Sequence, residues 1–155
     1  MYDDVRLRNV ENADLDVFFE HQRDPDSTRL TASAPRARKP FFAYWAEIRS
    51  SPTVFAQTIV VDREVVGNIM CWEQSGEHWV GYGIGRRYWG RGVATTALAL
   101  FLCQVSWRPL HAFVAVHNAG SIRVLEKCGF QRVGDGDSST GGSGKITLVE
   151  HILES

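Results

Sequence analysis

A glycine turn set between a strand-like run and an apolar helix pattern restricts this chain more than any other feature. Residues Trp79 to Gly85 read as a strand. Val93 to Val105 read as a helix that is apolar nearly all round, with Val93, Ala94, Ala97, Leu98, Phe101, Leu102 and Val105. Such a helix has to be buried against a sheet. Between the two lies Arg87-Tyr88-Trp89-Gly90-Arg91-Gly92. A turn that opens a helix presents backbone N–H groups without intrahelical partners, at the positive end of the helix dipole. Gly90 and Gly92 have no Cβ, so a bulky anion can approach the backbone, while Arg87 and Arg91 add positive charge. A pyrophosphate is the natural guest of such a turn.

Other phosphate and metal patterns fail. The glycines from Gly81 to Gly92 cannot be placed on G-x-G-x-x-G, and Gly144-Lys145 has Ser139 and Ile146 where a P-loop needs Gly and Ser or Thr. Asp135 and Asp137 start like a calcium loop, but Thr140 and Ile146 replace its glycine and closing Glu. The five His are scattered with no i,i+4 pair, so no zinc site is expected.

The remaining pattern is that of one domain covering residues 1–155. Val5 to Val10 reads as a strand, and Asn12-Ala13-Asp14 opens a helix with Leu15, Phe18 and Phe19 on one face. Asp24 to Pro40 reads as a loop, with or without one helical turn. It leads into a helix with Phe41, Tyr44, Trp45 and Ile48. The basic run Arg36-Ala37-Arg38-Lys39 is either a solvated face or a binding patch. Val54 to Val61 and Val65 to Glu73 form a hairpin, with Gly67 marking a bulge or a close backbone contact. His78 to Gly85 adds a third antiparallel strand. Leu110 to Val116 is a buried strand, Asn118 caps a further helix, and Gly129 ends it in the left-handed conformation. The strand–helix–strand step over Val93 to Val116 is parallel. Gly134 to Gly144 reads as a loop, and Lys145 to Leu153 as the strand that closes the sheet.

A net charge of −1 leaves no electrostatic footprint for non-specific nucleic-acid binding. No apolar run reaches the length of a membrane span, and Met1-Tyr2-Asp3-Asp4 does not start like a signal peptide. Cys71, Cys103 and Cys128 sit unclustered in apolar patterns, which fits buried, reduced thiols in a cytoplasmic protein. Cys128 beside Lys127 is the one cysteine in reach of a positive charge, and so the one candidate nucleophile.

Tyr88-Trp89-Gly90-Arg91-Gly92-Val93-Ala94-Thr95 resembles the acyl-CoA pyrophosphate loop of the GNAT superfamily of N-acetyltransferases, most closely its ribosomal-protein N-terminal branch and small-amine relatives. A second segment follows at the matching distance. Asn118-Ala119-Gly120-Ser121 and then Glu126-Lys127-Cys128-Gly129-Phe130 resemble the family's Asn-x-x-Ser and Glu-Lys-x-Gly-Phe. The resemblance implies an α+β fold with a mostly antiparallel central sheet, one parallel step and helices on both faces. Two neighbouring strands splay apart to admit the acyl-CoA arm. It implies acetyl-CoA as co-substrate, an amine acceptor and no metal, and it is compatible with a homodimer. The cofactor would be held by Ile84, Arg87, Trp89, Gly90, Arg91, Gly92, Val93, Ala94, Thr95, Asn118, Ser121 and Lys127, with the Gly83-Ile84-Gly85 backbone pairing with the pantetheine arm.

The implied reaction is direct attack of an amine on the thioester. An α-amine with a reference pKa of ~7.7–8.0 is already partly neutral at pH 7. Many members protonate the departing thiolate with a Tyr just before Glu-Lys-x-Gly-Phe. That position is Leu125 here, so the role passes to Ser121, unless Ser121 serves only the helix end. Glu73, His78 and Tyr82 lie near the expected cleft as candidates for the base. Trp45, Trp72 and Trp79 either line an acceptor pocket or fill the core. The missing Tyr leaves a second reading, a non-catalytic acyl-CoA-binding sensor or partner module.

Overall fold

The computed structural model describes residues 4–30, 34–141 and 144–155. Strand β1 (Val5–Asn9) leads into helices α1 (Asp14–Arg23), α2 (Pro25–Leu30) and α3 (Arg38–Ser50). Strands β2 (Val54–Val61), β3 (Glu64–Gln74) and β4 (Glu77–Ile84) follow as an antiparallel meander. A short 3₁₀ turn, Arg86–Tyr88, precedes helix α4 (Val93–Gln104). Strand β5 (Leu110–Ala115), helix α5 (Ala119–Lys127) and strands β6 (Gln131–Gly141) and β7 (Gly144–Leu153) complete the order.

The strands form a seven-stranded sheet in the order β1-β2-β3-β4-β5-β7-β6. Its one parallel pair is β4 with β5, joined through the α4 crossover. That pair meets at two positions, His78 with Leu110 and Trp79 with His111. Beyond Trp79 the two strands separate, which is the splay the resemblance implies.

Each face of the sheet has its own core. On one face α4 and α5 bury Ile69, Cys71, Leu98, Phe101, Leu125 and Val149. On the other, α1 and α3 pack Phe18, Phe19, Phe41, Trp45 and Ile48 together, with Met70 of β3 against them. The apolar character of α4 follows from its place. Val93, Ala97, Leu98 and Phe101 are buried. Gly67 marks the expected close contact, since a Cβ there would meet the Gly83 carbonyl oxygen at 2.1 Å. The β2–β3 bulge falls beside it, between Ile59 and Val60.

Four expectations are corrected. The segment from Gly134 to Gly144 is not a loop. Residues Gln131–Gly141 pair with β7 out to Gly141 opposite Gly144, with register shifts between Arg132 and Gly134 and between Asp135 and Ser138. Glycines and serines lower strand propensity, but a neighbouring strand that satisfies the backbone overrides propensity, and the bulges take up the misfit. For the same reason Lys145 to Leu153 does not close the sheet: β7 lies between β5 and β6, and β6 is the edge. The stretch after Asp24 holds a six-residue helix, α2, and α3 starts at Arg38. Of the three cysteines, Cys71 is buried, Cys128 is half-buried and Cys103 is exposed, because α4 turns Cys103 away from the sheet.

Helix α1 is tied to the sheet by a buried carboxylate. Asp14 accepts from Arg8 Nη1 at 2.7 Å, Arg8 Nη2 at 2.9 Å, the Glu11 N–H at 2.8 Å and the Thr58 hydroxyl at 2.7 Å. Burial alone would raise its pKa, but the bonds from Arg8, Glu11 and Thr58 outweigh it and hold it below the usual carboxylate value. The stability this provides is present above the unfolded carboxylate pKa, ~3.9, and is lost as pH falls through the lower folded value. Asp14→Asn is expected to destabilise the protein by about 2–3 kcal/mol, with Arg8 keeping some contact with water. Urea unfolding at neutral pH checks this. At a pH below the folded value the two proteins should converge.

Candidate active site

The splay opens into a cleft of about 1140 Å³ that runs through the domain between the α1–α3 layer and the α4–α5 layer. That exceeds the ~300–1,000 Å³ of a typical single small-ligand pocket and leaves room for two substrates. Its first wall is the turn before α4. Gly90 and Gly92 take φ of 73° and 79°, the left-handed region that favours glycine, and a Cβ at either would have nothing within 4 Å. Gly92 is the residue before α4, so the N–H groups of Val93, Ala94 and Thr95 are those of the first turn. Trp89, Gly90, Gly92, Val93, Ala94 and Thr95 all line the cleft. The Trp89 indole donates to the Ile84 carbonyl at 2.8 Å, which fixes the turn to the end of β4.

Strand β4 forms the second wall. The Gly85 N–H donates to the Val66 carbonyl at 2.8 Å, toward β3. Backbone groups alternate sides along an antiparallel strand, so those of Tyr82 and Ile84 turn toward the gap. The expectation for Gly83-Ile84-Gly85 therefore narrows. The Gly85 N–H is engaged with β3, the Ile84 carbonyl holds Trp89, and the Ile84 N–H faces the opening.

The third wall is α5. Asn118 Oδ1 accepts from the Ser121 N–H at 3.2 Å, so the cap is made by the Ser121 backbone. The Ser121 hydroxyl is turned instead to the Tyr82 hydroxyl, at 2.7 Å. Burial pushes the Tyr82 phenol up to about 12, against the lowering effect of the Ser121 bond. Tyr82 thus keeps its proton through the neutral range and can donate but not act as a base. Lys127 lines the cleft, and Arg123, one helical turn earlier on the same face, lines it too. That i,i+4 spacing is the sequence signal that would have found Arg123.

Other predicted residues are placed differently. Arg87 and Arg91 are exposed and lie outside the cleft lining, with the Arg87 guanidinium 5.3 Å from the Tyr88 ring centroid. Glu73 lines the cleft but lies at the far end of the strand pair, opposite His78 while Tyr82 is opposite Ile69. Four residues separate the two positions, about 13 Å along the strands at ~3.3 Å each, so Glu73 and Tyr82 do not meet. His78 faces Glu73 at 3.8 Å and stacks on Trp107. Trp45 and Trp72 line the cleft. Trp79 does not, and stacks on Phe113 instead.

Residues without a sequence motif complete the α1–α3 side: Phe18, His21 and Gln22 from α1, Arg36, and Tyr44 from α3. Burial lowers the His21 pKa against the opposing pull of Asp24, so its ring is neutral at neutral pH. Burial raises the pKa of the Cys128 thiol, whose Sγ donates to the Thr95 carbonyl at 3.6 Å. A thiol held protonated is a poor nucleophile, which removes the physical basis for covalent catalysis by Cys128.

The family model described as Acetyltransferase (GNAT) domain matches residues 4–131. A protein called uncharacterized N-acetyltransferase p20, from Bacillus licheniformis, is 26% identical over 143 residues, covering 84% of this chain and 80% of that protein. The same fold occurs in spermidine N-acetyltransferase from Vibrio cholerae, solved with CoA and spermine. It superposes with a TM-score of 0.84 at 14% identity, covering 97% of this chain and 95% of that one. RimJ from Mycobacterium smegmatis, solved with CoA-disulfide, superposes with a TM-score of 0.80 at 20% identity, covering 97% and 82%. The family match spans both the glycine turn and the Asn118 to Phe130 segment, and on that ground the chain belongs to the GNAT acetyltransferase domain family.

Proposed function

We propose that this protein transfers an acetyl group from acetyl-CoA to a primary amine by direct attack in a ternary complex. The observation that carries this reading is the hydroxyl pair of Tyr82 and Ser121 in the wall of the same cleft that holds the α4 N-terminus. The amine nitrogen bonds to the thioester carbonyl carbon. The carbon–sulfur bond breaks, its electron pair leaves on sulfur, the thiolate takes a proton and the attacking nitrogen loses one. Pyrophosphate contacts fall to the N–H groups at the start of α4, and Arg123 and Lys127 supply positive charge. Asn118 holds the start of α5 in place. The Ile84 N–H pairs with the pantetheine arm.

Catalysis then rests on alignment of the two substrates and on hydrogen bonds to the reacting groups. The Tyr82–Ser121 pair donates to the departing thiolate. Its protonated phenol takes the place of the Tyr missing at Leu125. His21, held neutral, is suited to take the proton of the amine, while Glu73 draws the ammonium form to the mouth of the cleft. The acceptors in view are small-molecule amines and peptide N-termini, including those of the ribosomal-protein branch. Three free cysteines fit a reducing, cytoplasmic setting.

Acetyl-CoA at about one hundred times its dissociation constant should add ~2.7 kcal/mol of stability. Thermal melts and calorimetry check this, and a melt unmoved by saturating acetyl-CoA would sink the reading. Thiol release with a panel of amines then separates transfer from mere binding.

A further inference from the structure

The basic run after α2 does not act as one patch. Arg38 Nη2 donates to Asp16 Oδ1 at 2.7 Å, so its charge is answered on the surface. Arg36 has no carboxylate partner among the described residues. Its guanidinium lies 3.9 Å from the centroid of the Tyr44 ring. Its backbone is held from both sides by a single side chain. The Arg36 N–H donates to Gln22 Oε1 at 2.7 Å, and Gln22 Nε2 donates to the Arg36 carbonyl at 2.7 Å. Arg36, Gln22 and Tyr44 all line the cleft on its α1–α3 side, away from α4 and α5.

A guanidinium stacked on a ring keeps its edge N–H groups in a fork that fits an oxyanion. Fixing the stem in advance removes part of the ordering cost of binding. Glu73 is the one carboxylate among the described lining residues, and Arg36 is the cation on the α1–α3 side, since Arg123 and Lys127 face the cofactor. A single carboxylate beside a cation gives no second partner to an acceptor with several ammonium groups. A peptide N-terminus offers a neutral amide where a free amino acid offers a carboxylate.

We propose that Arg36 is the anion subsite of the acceptor pocket, and that the acceptor is a small amine bearing a carboxylate, an α-amino acid or a close analogue. This rests on the acyl-transfer reading above and narrows it. The test uses acetyl-CoA with the proteinogenic amino acids, their C-terminal amides and spermidine, read by thiol release, with CoA binding measured separately by calorimetry. The best amino acid should exceed its own amide in kcat/KM by about tenfold or more, the scale of one charge-assisted fork. Arg36→Gln should raise KM for the amino acid about tenfold more than for the amide, and Arg36→Lys should restore part of the difference. Equal use of acid and amide, preference for spermidine, or a preference that Arg36→Gln leaves intact overturns the subsite while leaving acyl transfer standing. If no amine turns over, the subsite falls. Transfer falls with it if CoA still binds, and the whole cofactor reading falls if it does not.

Discussion

Ser121→Ala and Tyr82→Phe should each lower kcat by ~10²–10⁴, the usual range for a lost proton donor, with CoA affinity changed far less. Both remove one hydroxyl from a pair 2.7 Å apart and leave the surrounding packing in place. Because the two act as one unit, the double variant should be little worse than either single one. The pH dependence carries a second mark. Activity should rise as the amine loses its proton, with a reference midpoint of ~7.7–8.0 for a peptide α-amine and a higher one for a free amino acid, whose carboxylate stabilises the ammonium, and then hold level. The alkaline fall should wait until the pH nears the Tyr82 value of about 12. Steady-state kinetics with an amine acceptor decides the matter. A Tyr82→Phe enzyme with wild-type kcat would return protonation of the thiolate to water or to the incoming ammonium. Loss of CoA affinity at unchanged kcat would make Ser121 a cofactor contact.

The second large effect is expected at the start of α4. Gly92→Glu would put an anion in the phosphate space, but with φ at 79° any side chain there is strained, so loss of binding would be mixed with loss of fold. Ala94→Glu separates the two. Ala94 lines the cleft from the first turn of α4. An acidic side chain in a first turn favours the helix by about 0.3–1 kcal/mol, so the ligand-free melt should be unchanged or slightly raised. A carboxylate ~4 Å from a bound pyrophosphate opposes it by about 4 kcal/mol at an effective dielectric of ~20, so CoA affinity should fall by at least about 100-fold. Calorimetry and the loss of the ligand-induced melting shift check this. A folded Ala94→Glu protein that binds CoA like the wild type would move the pyrophosphate site elsewhere.

The sequence by itself determined the parts whose physics is local. The turn at Gly90 and Gly92 was legible because glycines just ahead of an apolar helix pattern mark a helix entry, while their left-handed φ came only with the structure. Asn118 was legible as a cap because its side chain bonds three residues along. The apolar run of α4 announced a buried helix, and the crossover announced the parallel step, since few chain paths join such elements. Gly67 was readable as a close contact, though its partner, the Gly83 carbonyl, was not.

Tertiary structure decided whatever depends on residues distant in the chain. Tyr82 and Ser121 are 39 positions apart, and no pattern within either segment turns one hydroxyl toward the other. Glu73 and Tyr82 are close in sequence, but the hairpin register sends them to opposite ends of a strand pair. The strand over Gly134 to Gly141 was hidden because its pairing partner, rather than its own composition, makes it a strand. Arg36 and Arg38 look alike in the chain and both lie over aromatic rings, and only the packing of α1 against α3 gives Arg38 an aspartate and sets Arg36 over Tyr44 in the lining of the cleft. Local rules of backbone and periodicity reach about as far as one element. The charge, burial and neighbours that set a side chain's chemistry are fixed only when elements from across the chain are brought together.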